Sequence, residues 1–310
     1  MTSFNDMKEV APTPQLLSAV GQHPTVRWTA GLLLVLALLC FLGPLLSPYS
    51  SSTLSENQFS PPSFSHWMGT DINGRDVLTM TLEGGRVSLL VGLVGASISL
   101  IIGTLYGLIS GYLGGKIDTL MMRVVDILYA LPRIVIVMVL IALFDQQTRA
   151  LLEQSGWPQL IQYSRILLLF VGLGFVEWLT MARIVRGQVL TLKERAYVQA
   201  ALSMGQSRWR IMSRHLLPNL TGIILVYLTL TIPAVILEES FLSFLGLGVQ
   251  APLASWGTLL SDGAALINPV KIYWWLLLAP ALMMALTLLA LNFLGDALRD
   301  LLDPLSRRDS

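Results

Sequence analysis

Residues 87–115, VSLLVGLVGASISLIIGTLYGLISGYLGG, carry no charged side chain between Arg86 and Lys116. A helix crossing the hydrocarbon core of a bilayer needs about 20 apolar residues, and this stretch exceeds that. Three other stretches read the same way: Trp28 to Leu46, His215 to Leu237 between Arg214 and Glu238, and Ile272 to Gly295 between Lys271 and Asp296. Two further ones, Val124 to Phe144 and Ile166 to Ala182, carry Asp126 and Arg133 near one end and Glu177 near one end. Together they predict an all-α, polytopic membrane protein with six transmembrane helices. Residues 1–27 form an N-terminal segment and residues 28–310 the bundle.

Composition excludes the main competitors. Of 310 residues 54% are hydrophobic and 13% charged, about half the charged fraction of an ordinary soluble domain. At a mean hydropathy of +0.67, a soluble globule would leave large apolar patches in water. A net charge of +1 provides no footprint for nucleic acid, which needs Lys and Arg against phosphates. The single cysteine, Cys40, lies in an apolar run and reads as a small hydrophobe.

Lys and Arg resist translocation, so their distribution orients the bundle. With the N-terminus inside, the inner set is Lys8, Arg27, Lys116, Arg123, Arg133, Arg183, Arg186, Lys193, Arg195, Arg208, Arg210, Arg214, Arg299, Arg307 and Arg308. The outer set is Arg75, Arg86, Arg149, Arg165 and Lys271. Both termini are therefore expected in the cytoplasm.

Gly103, Gly107 and Gly111 recur at steps of four and predict a stripe on which another helix packs closely. Gly111 to Lys116 falls short of a phosphate-binding loop, since three residues separate Gly111 and Gly115 and Ile117 follows Lys116. His66 has no metal-ligand partner at ligand spacing and reads as an interfacial histidine beside Trp67, so no metal site is expected. Residues 183–214 form an inner loop too long for a turn. Its Arg183, Arg186, Lys193, Arg195, Arg208, Arg210 and Arg214 serve either to hold the loop inside or to bind anionic headgroups. Within it, Glu194 to Met204 consists of good helix formers with Ala200 and Ala201 side by side, and Gly205 supplies a stop. That predicts a short exposed helix suited to another protein's groove.

Charges inside spans face protein or water. Asp126 and Arg133, two turns apart, are expected to pair with each other or snorkel. Glu177 either lines a path or stays protonated against a neighbouring helix, and Glu239 beside Glu238 is either an outer-gate group or a solvated helix end. The same carboxylates are also what a proton-coupled secondary carrier would use as a relay, with uptake then abolished by an uncoupler.

Gln199-Ala200-Ala201, then Gly205, His215 and Leu217-Pro218, resemble in spacing the cytoplasmic signature of ABC importer permeases, which begins Glu-Ala-Ala and ends Leu-Pro. Gln199 stands where that family usually has Glu, so an ion pair to the ATPase would become a neutral hydrogen bond. Further runs resemble the second permease of the oligopeptide and dipeptide branch. They are His66 to Asp71 with Gly74 to Val77, Gly111 to Gly115 with Asp118, Met122 and Arg123, and Glu239 to Gly248. Ser255 to Gly257 with Asp262-Gly263, and Leu294 to Asp300 with Asp303-Pro304, complete the set. The resemblance implies a type I ABC importer permease in a bacterial inner membrane, one half of a heterodimeric pore formed with a sister permease. Its implied cargo is oligopeptides, although dipeptide, nickel and opine permeases share the architecture. Two separate ATPase subunits would hold ATP and magnesium and grip Tyr197, Gln199, Ala200, Ala201, Gly205, Leu217 and Pro218. A periplasmic or lipid-anchored binding protein would deliver the peptide. This chain would perform no chemistry and bind no cofactor of its own.

Overall fold

A computed structural model describes residues 23–51, 53–267 and 271–302. The N-terminal segment is therefore largely outside the described residues, as is Asp303-Pro304. The helices are α1 (Pro24–Leu46), α2 (Val77–Leu113), α3 (Gly115–Tyr129), α4 (Arg133–Gln154), α5 (Ser164–Lys193) and α6 (Ala196–Ser203). They continue with α7 (Arg208–Ile211), α8 (Leu217–Phe244), α9 (Trp256–Ala265) and α10 (Trp275–Leu302). Six helical segments among the described residues are long and apolar enough to cross a membrane. One end of the bundle carries Lys193 and the Arg-rich connection after it, and is called the basic end below.

The long α2 and α5 form the centre, and the glycine stripe is what brings them together. A Cβ on Gly103 would lie 2.5 Å from the Cβ of Met181 and 2.8 Å from the Trp178 carbonyl. One on Gly111 would lie 2.9 Å from the Arg186 carbonyl. Nothing but hydrogen fits there, so the backbones approach as small-residue helix pairs do in lipid. On the flank, Pro44 in α1 has no N–H to return to the carbonyl four residues back. Arg86 supplies the missing donor, its Nε reaching the Cys40 carbonyl at 2.8 Å and its Nη2 the Phe41 carbonyl at 2.7 Å. A cation expected merely outside thus closes a gap between α1 and α2.

Three expectations need correcting. The predicted third span, Val124 to Phe144, is interrupted: α3 ends at Tyr129 and α4 begins at Arg133, because Pro132 disfavours helical geometry in the residue before it. The break redirects the two charges, so Asp126 and Arg133 do not pair with each other. Asp126 instead accepts from Arg183 at 2.7 Å and Arg133 donates to Glu177 at 2.9 Å. Finally, the loop expected over 183–214 is shorter. Helix α5 carries Arg183 and Arg186 on to Lys193, and α7 passes through a π turn at Met212–Leu216 into α8.

At the opposite end, residues 47–76 and α9 form a hydrogen-bonded cap. Asp76 accepts from Thr79 N at the start of α2 and lies 3.0 Å from His66 Nδ1. His66 is thus tied to a carboxylate, where the sequence suggested a plain interfacial histidine. Asp71 accepts from the backbone of Asn73 and Arg75 and from the Arg75 guanidinium. Trp275 Nε1 donates to the Thr70 carbonyl. Helix α9 starts with a capping box between Ser255 and Thr258, and its fully buried Trp256 donates from Nε1 to the Thr81 carbonyl at 3.0 Å.

Candidate functional site

Two places gather function-bearing residues: the arm at the basic end and a charged cluster beside α4.

The arm is α6 with the turn into α7. Helix α6 stops because Gly205 adopts φ 74°, a left-handed conformation that glycine enters without penalty. Gly205 N then donates to the Leu202 carbonyl and Gln206 N to the Ala201 carbonyl, capping the last turn. Val198 and Ala201, three apart on one face, are buried with Ile211, Leu216 and Leu220 and with Val185 and Val189 of α5. The adjacent alanines therefore separate: Ala201 faces the bundle while Ala200 is exposed. The open face carries Leu202, Met204 and Trp209, the last two about 70% exposed. Tyr197 is part-exposed with its ring near His215, and burial raises its phenol above the ordinary value.

Gln199 is exposed, yet its side chain already has a partner within the chain. Its Nε2 donates to the Lys193 carbonyl at 2.8 Å, holding the start of the arm to the end of α5. The far side is fastened by His215 Nε2, 3.0 Å from Gln206 Oε1. Leu217 and Pro218 follow at the entry to α8, past the π turn. Proline there has no N–H to donate, and single π turns within helices recur at functional sites. Beside the arm, Asp118 joins α2, α3 and α5 by accepting from Ser110 and, through both oxygens, from Arg186 at 2.5 and 2.6 Å. The Arg186 guanidinium holds the Asp118 carboxyl below its ordinary value in spite of burial.

The charged cluster draws its residues from α3, α4, α5 and α8. Arg133 donates from Nη1 to Glu177 and from Nη2 to the Tyr129 hydroxyl at 2.8 Å, and Glu238 lies 3.9 Å away. Arg183 stands 4.1 Å over the Tyr129 ring while pairing with Asp126. A charge left alone at a helix centre costs about 2.5 to 3.5 kcal/mol on insertion scales, and these pairings offset that. Glu177 is thus neither isolated nor set against an apolar helix, which the sequence could not reveal because Arg133 is 44 positions away.

Glu239 belongs to neither place. It is fully buried and accepts from Ser243 at 2.6 Å, Ser88 at 3.3 Å and Ser240 at 3.5 Å. A solvated helix end is ruled out, because α8 continues beyond it to Phe244. The sequence offered this trio of serines only in part: Ser240 and Ser243 follow Glu239 within one turn or so of α8, but Ser88 is on α2, 151 positions away.

Residues 103–308 match the family model described as "Binding-protein-dependent transport system inner membrane component". The chain is 45% identical over 279 residues to the dipeptide transport system permease DppC of Bacillus subtilis, covering 89% of this chain and 81% of that protein. To the oligopeptide transport system permease OppC of Haemophilus influenzae it is 47% identical, covering 78% and 71%. To that of Escherichia coli it is 46% identical, covering 89% and 85%. Among solved structures, an inward-facing MetNI methionine ABC transporter aligns with a TM-score of 0.53 at 16% identity over 72% of this chain and 96% of that one, a likeness of fold alone. With the arm, the six spans and these relatives together, the chain belongs to the binding-protein-dependent transport system inner membrane components, the multi-pass permease subunits of ATP-binding cassette importers.

Proposed function

We propose that the chain is one half of the membrane pore of a peptide importer, paired with a homologous sister permease. Two separate ATPase subunits grip α6 and α7 and supply all ATP and magnesium chemistry, and an external binding protein hands over the peptide. The chain itself binds no cofactor and catalyses nothing. Both termini lie in the cytoplasm, in keeping with the excess of Lys and Arg at the basic end.

The observation that carries this reading is the arm's two-sidedness. Its inner face, Val198 and Ala201, is continuous with the packing of α5 and α8. Its outer face leaves Leu202, Met204 and Trp209 uncovered, the kind of apolar surface that marks a protein interface. A load on that face moves a rigid piece, since the ends are fixed by Gln199 to Lys193 and His215 to Gln206. Packed helices then switch between discrete arrangements instead of deforming gradually. Peptides are favoured as cargo because both kinds of named relative, dipeptide and oligopeptide permeases, align with 89% of this chain at 45% and 46% identity.

The test is purification from membranes followed by reconstitution. The expected complex contains a sister permease and two ATPases, and proteoliposomes made from it with loaded binding protein accumulate tri-alanine only with ATP on the ATPase side. Accumulation driven by a proton gradient and abolished by an uncoupler would instead make Glu177 and Glu238 a relay and overturn the proposal.

A further inference from the structure

At the cap end of the bundle, residues 57–70, NQFSPPSFSHWMGT, carry no Asp, Glu, Lys or Arg between Glu56 and Asp71. Within that stretch the backbone is tied down. Ser63 N donates to the His66 carbonyl at 2.8 Å, His66 N to Ser63 Oγ at 3.1 Å, and His66 lies against Asp76. The turn so fixed leaves Phe64 fully exposed and Trp67 72% exposed. A third aromatic, Trp274, is 52% exposed just before α10. The three share one edge of the cap: Met68, next to Trp67, packs with Tyr273 and Trp275, and the Phe59 ring stacks on that of Tyr273 at 4.1 Å.

Depth decides what meets these rings. Helix α1 buries only Val26, Leu36 and Cys40, packs on α2 and α10, and carries no charge between Arg27 and Ser47, which makes it a lipid-facing edge of the chain. The charges left open at Asp126 and Arg183 call for protein or water on a different flank, that of α3 and α5. Trp28 and Leu46, both strongly exposed at the two ends of α1, stand about 27 Å apart at the helical rise per residue. That nearly matches the ~30 Å of a hydrocarbon core. Tyr49 follows Leu46 by three residues and its ring lies 4.5 Å from that of His66, so Trp67 stands just past the hydrocarbon boundary. The headgroup layer there is roughly 5 to 8 Å deep and is where Trp and Tyr concentrate. Lys271, its Nζ 5.4 Å from the Tyr273 ring centroid, places a cation at the same level. The cap's own charges lie toward α9, where Asp71 and Arg75 pair within electrostatic reach of Asp262.

We propose that this edge of the cap is a phospholipid-binding surface: Phe64, Trp67 and Trp274 are seated in the headgroup layer of the leaflet at the cap end, with Lys271 toward its phosphates. The connection between the first two spans is thereby anchored in the membrane beside α1 and α10 and does not project into water. Through His66 and Asp76 the anchor is joined to the first turn of α2. The side of the cap with Asp71, Arg75 and Asp262 is the one left to water.

The test is photo-crosslinking of the intact complex in its native membrane, with p-benzoylphenylalanine replacing one residue at a time. Phe64 and Trp67 are the test positions, Leu45 on the open side of α1 calibrates contact with lipid, and the exposed, polar Gln58 calibrates contact with water. After irradiation the adduct on each probe peptide is identified by mass. Phospholipid adducts are expected at Phe64 and Trp67 in yields about fivefold or more above that at Gln58, with Leu45 as the upper reference. Saturating loaded binding protein should leave them unchanged. Adducts chiefly to a sister permease or to the binding protein would overturn the proposal, as would phospholipid yields no higher than at Gln58. A second measurement needs no photo-probe. Ser65→Cys should react with a membrane-impermeant maleimide about threefold or more faster when Phe64→Ala and Trp67→Ala are added, because the loop then leaves the headgroups. Equal rates would contradict the anchor.

Discussion

At the cap, Trp256, Trp275 and Glu239 bury their polar atoms against backbone carbonyls and serine hydroxyls, whereas at the arm Leu202, Met204 and Trp209 hold apolar side chains in the open. The two tryptophan hydrogen bonds of the cap join segments far apart in sequence, from Trp256 to Thr81 and from Trp275 to Thr70. The arm's own bonds, from Gln199 to Lys193 and His215 to Gln206, are local. Bonds of the first kind fix how helices stand relative to one another. Those of the second kind make a small unit stiff while leaving it free to move as a body. A substitution in the cap should therefore cost stability first, and one in the arm should cost transport first.

Trp256→Ala should be the most damaging, since it removes a fully buried indole and its bond to Thr81. About 3 to 5 kcal/mol is expected for such a truncation, read as a large drop in the thermal midpoint of the detergent-solubilised complex, with uptake lost in parallel. Glu239→Leu comes next. It strips the acceptor from Ser88 and Ser243, and leaving buried hydroxyls unpaired costs about 1 to 3 kcal/mol. Glu239→Gln, which retains an acceptor, should recover part of the loss. An unchanged midpoint in Glu239→Leu would show that the serine cage does not hold the cap to α2.

A smaller, pH-dependent effect is expected where arm and bundle meet. The Asp118 carboxyl is held below its ordinary value of 3.8 by Arg186. The native state thus prefers it ionised, and the stabilisation is fully present above about pH 4 and lost as pH falls through the lowered folded value. The midpoint difference between wild type and Asp118→Asn should be constant from neutral pH down to about 4 and shrink below it. A difference that grows with acidification would refute the pairing's role. Smallest of all in stability should be Leu202→Ser with Met204→Ser, within about 0.5 kcal/mol as for exposed sites, yet the purified complex should retain less ATPase.

How far the sequence could be read follows the same division. The glycine stripe was legible because steps of four residues put Gly103, Gly107 and Gly111 on one face whatever they pack against. Helix α6 was legible too, from local propensity and the Gly205 stop. What failed was register between helices. Nothing in the sequence says that Arg133 meets Glu177 and not Asp126, because that depends on the turn made at Pro132. The serine cage around Glu239 was equally hidden, with Ser88 lying 151 positions away. Even at the arm, the doublet of Ala200 and Ala201 was visible, but which alanine faces the bundle was decided by α5 and α8.

The decisive measurement is uptake by reconstituted transporter carrying Ala200→Glu or Gly205→Val, after confirming that the permease is inserted and that its thermal midpoint is preserved. A carboxylate on the open face, or a β-branched residue forced to φ 74°, should leave the bundle standing and stop ATP-driven accumulation of tri-alanine. Normal accumulation by both variants would contradict the claim that this arm carries the ATPases' motion into the membrane.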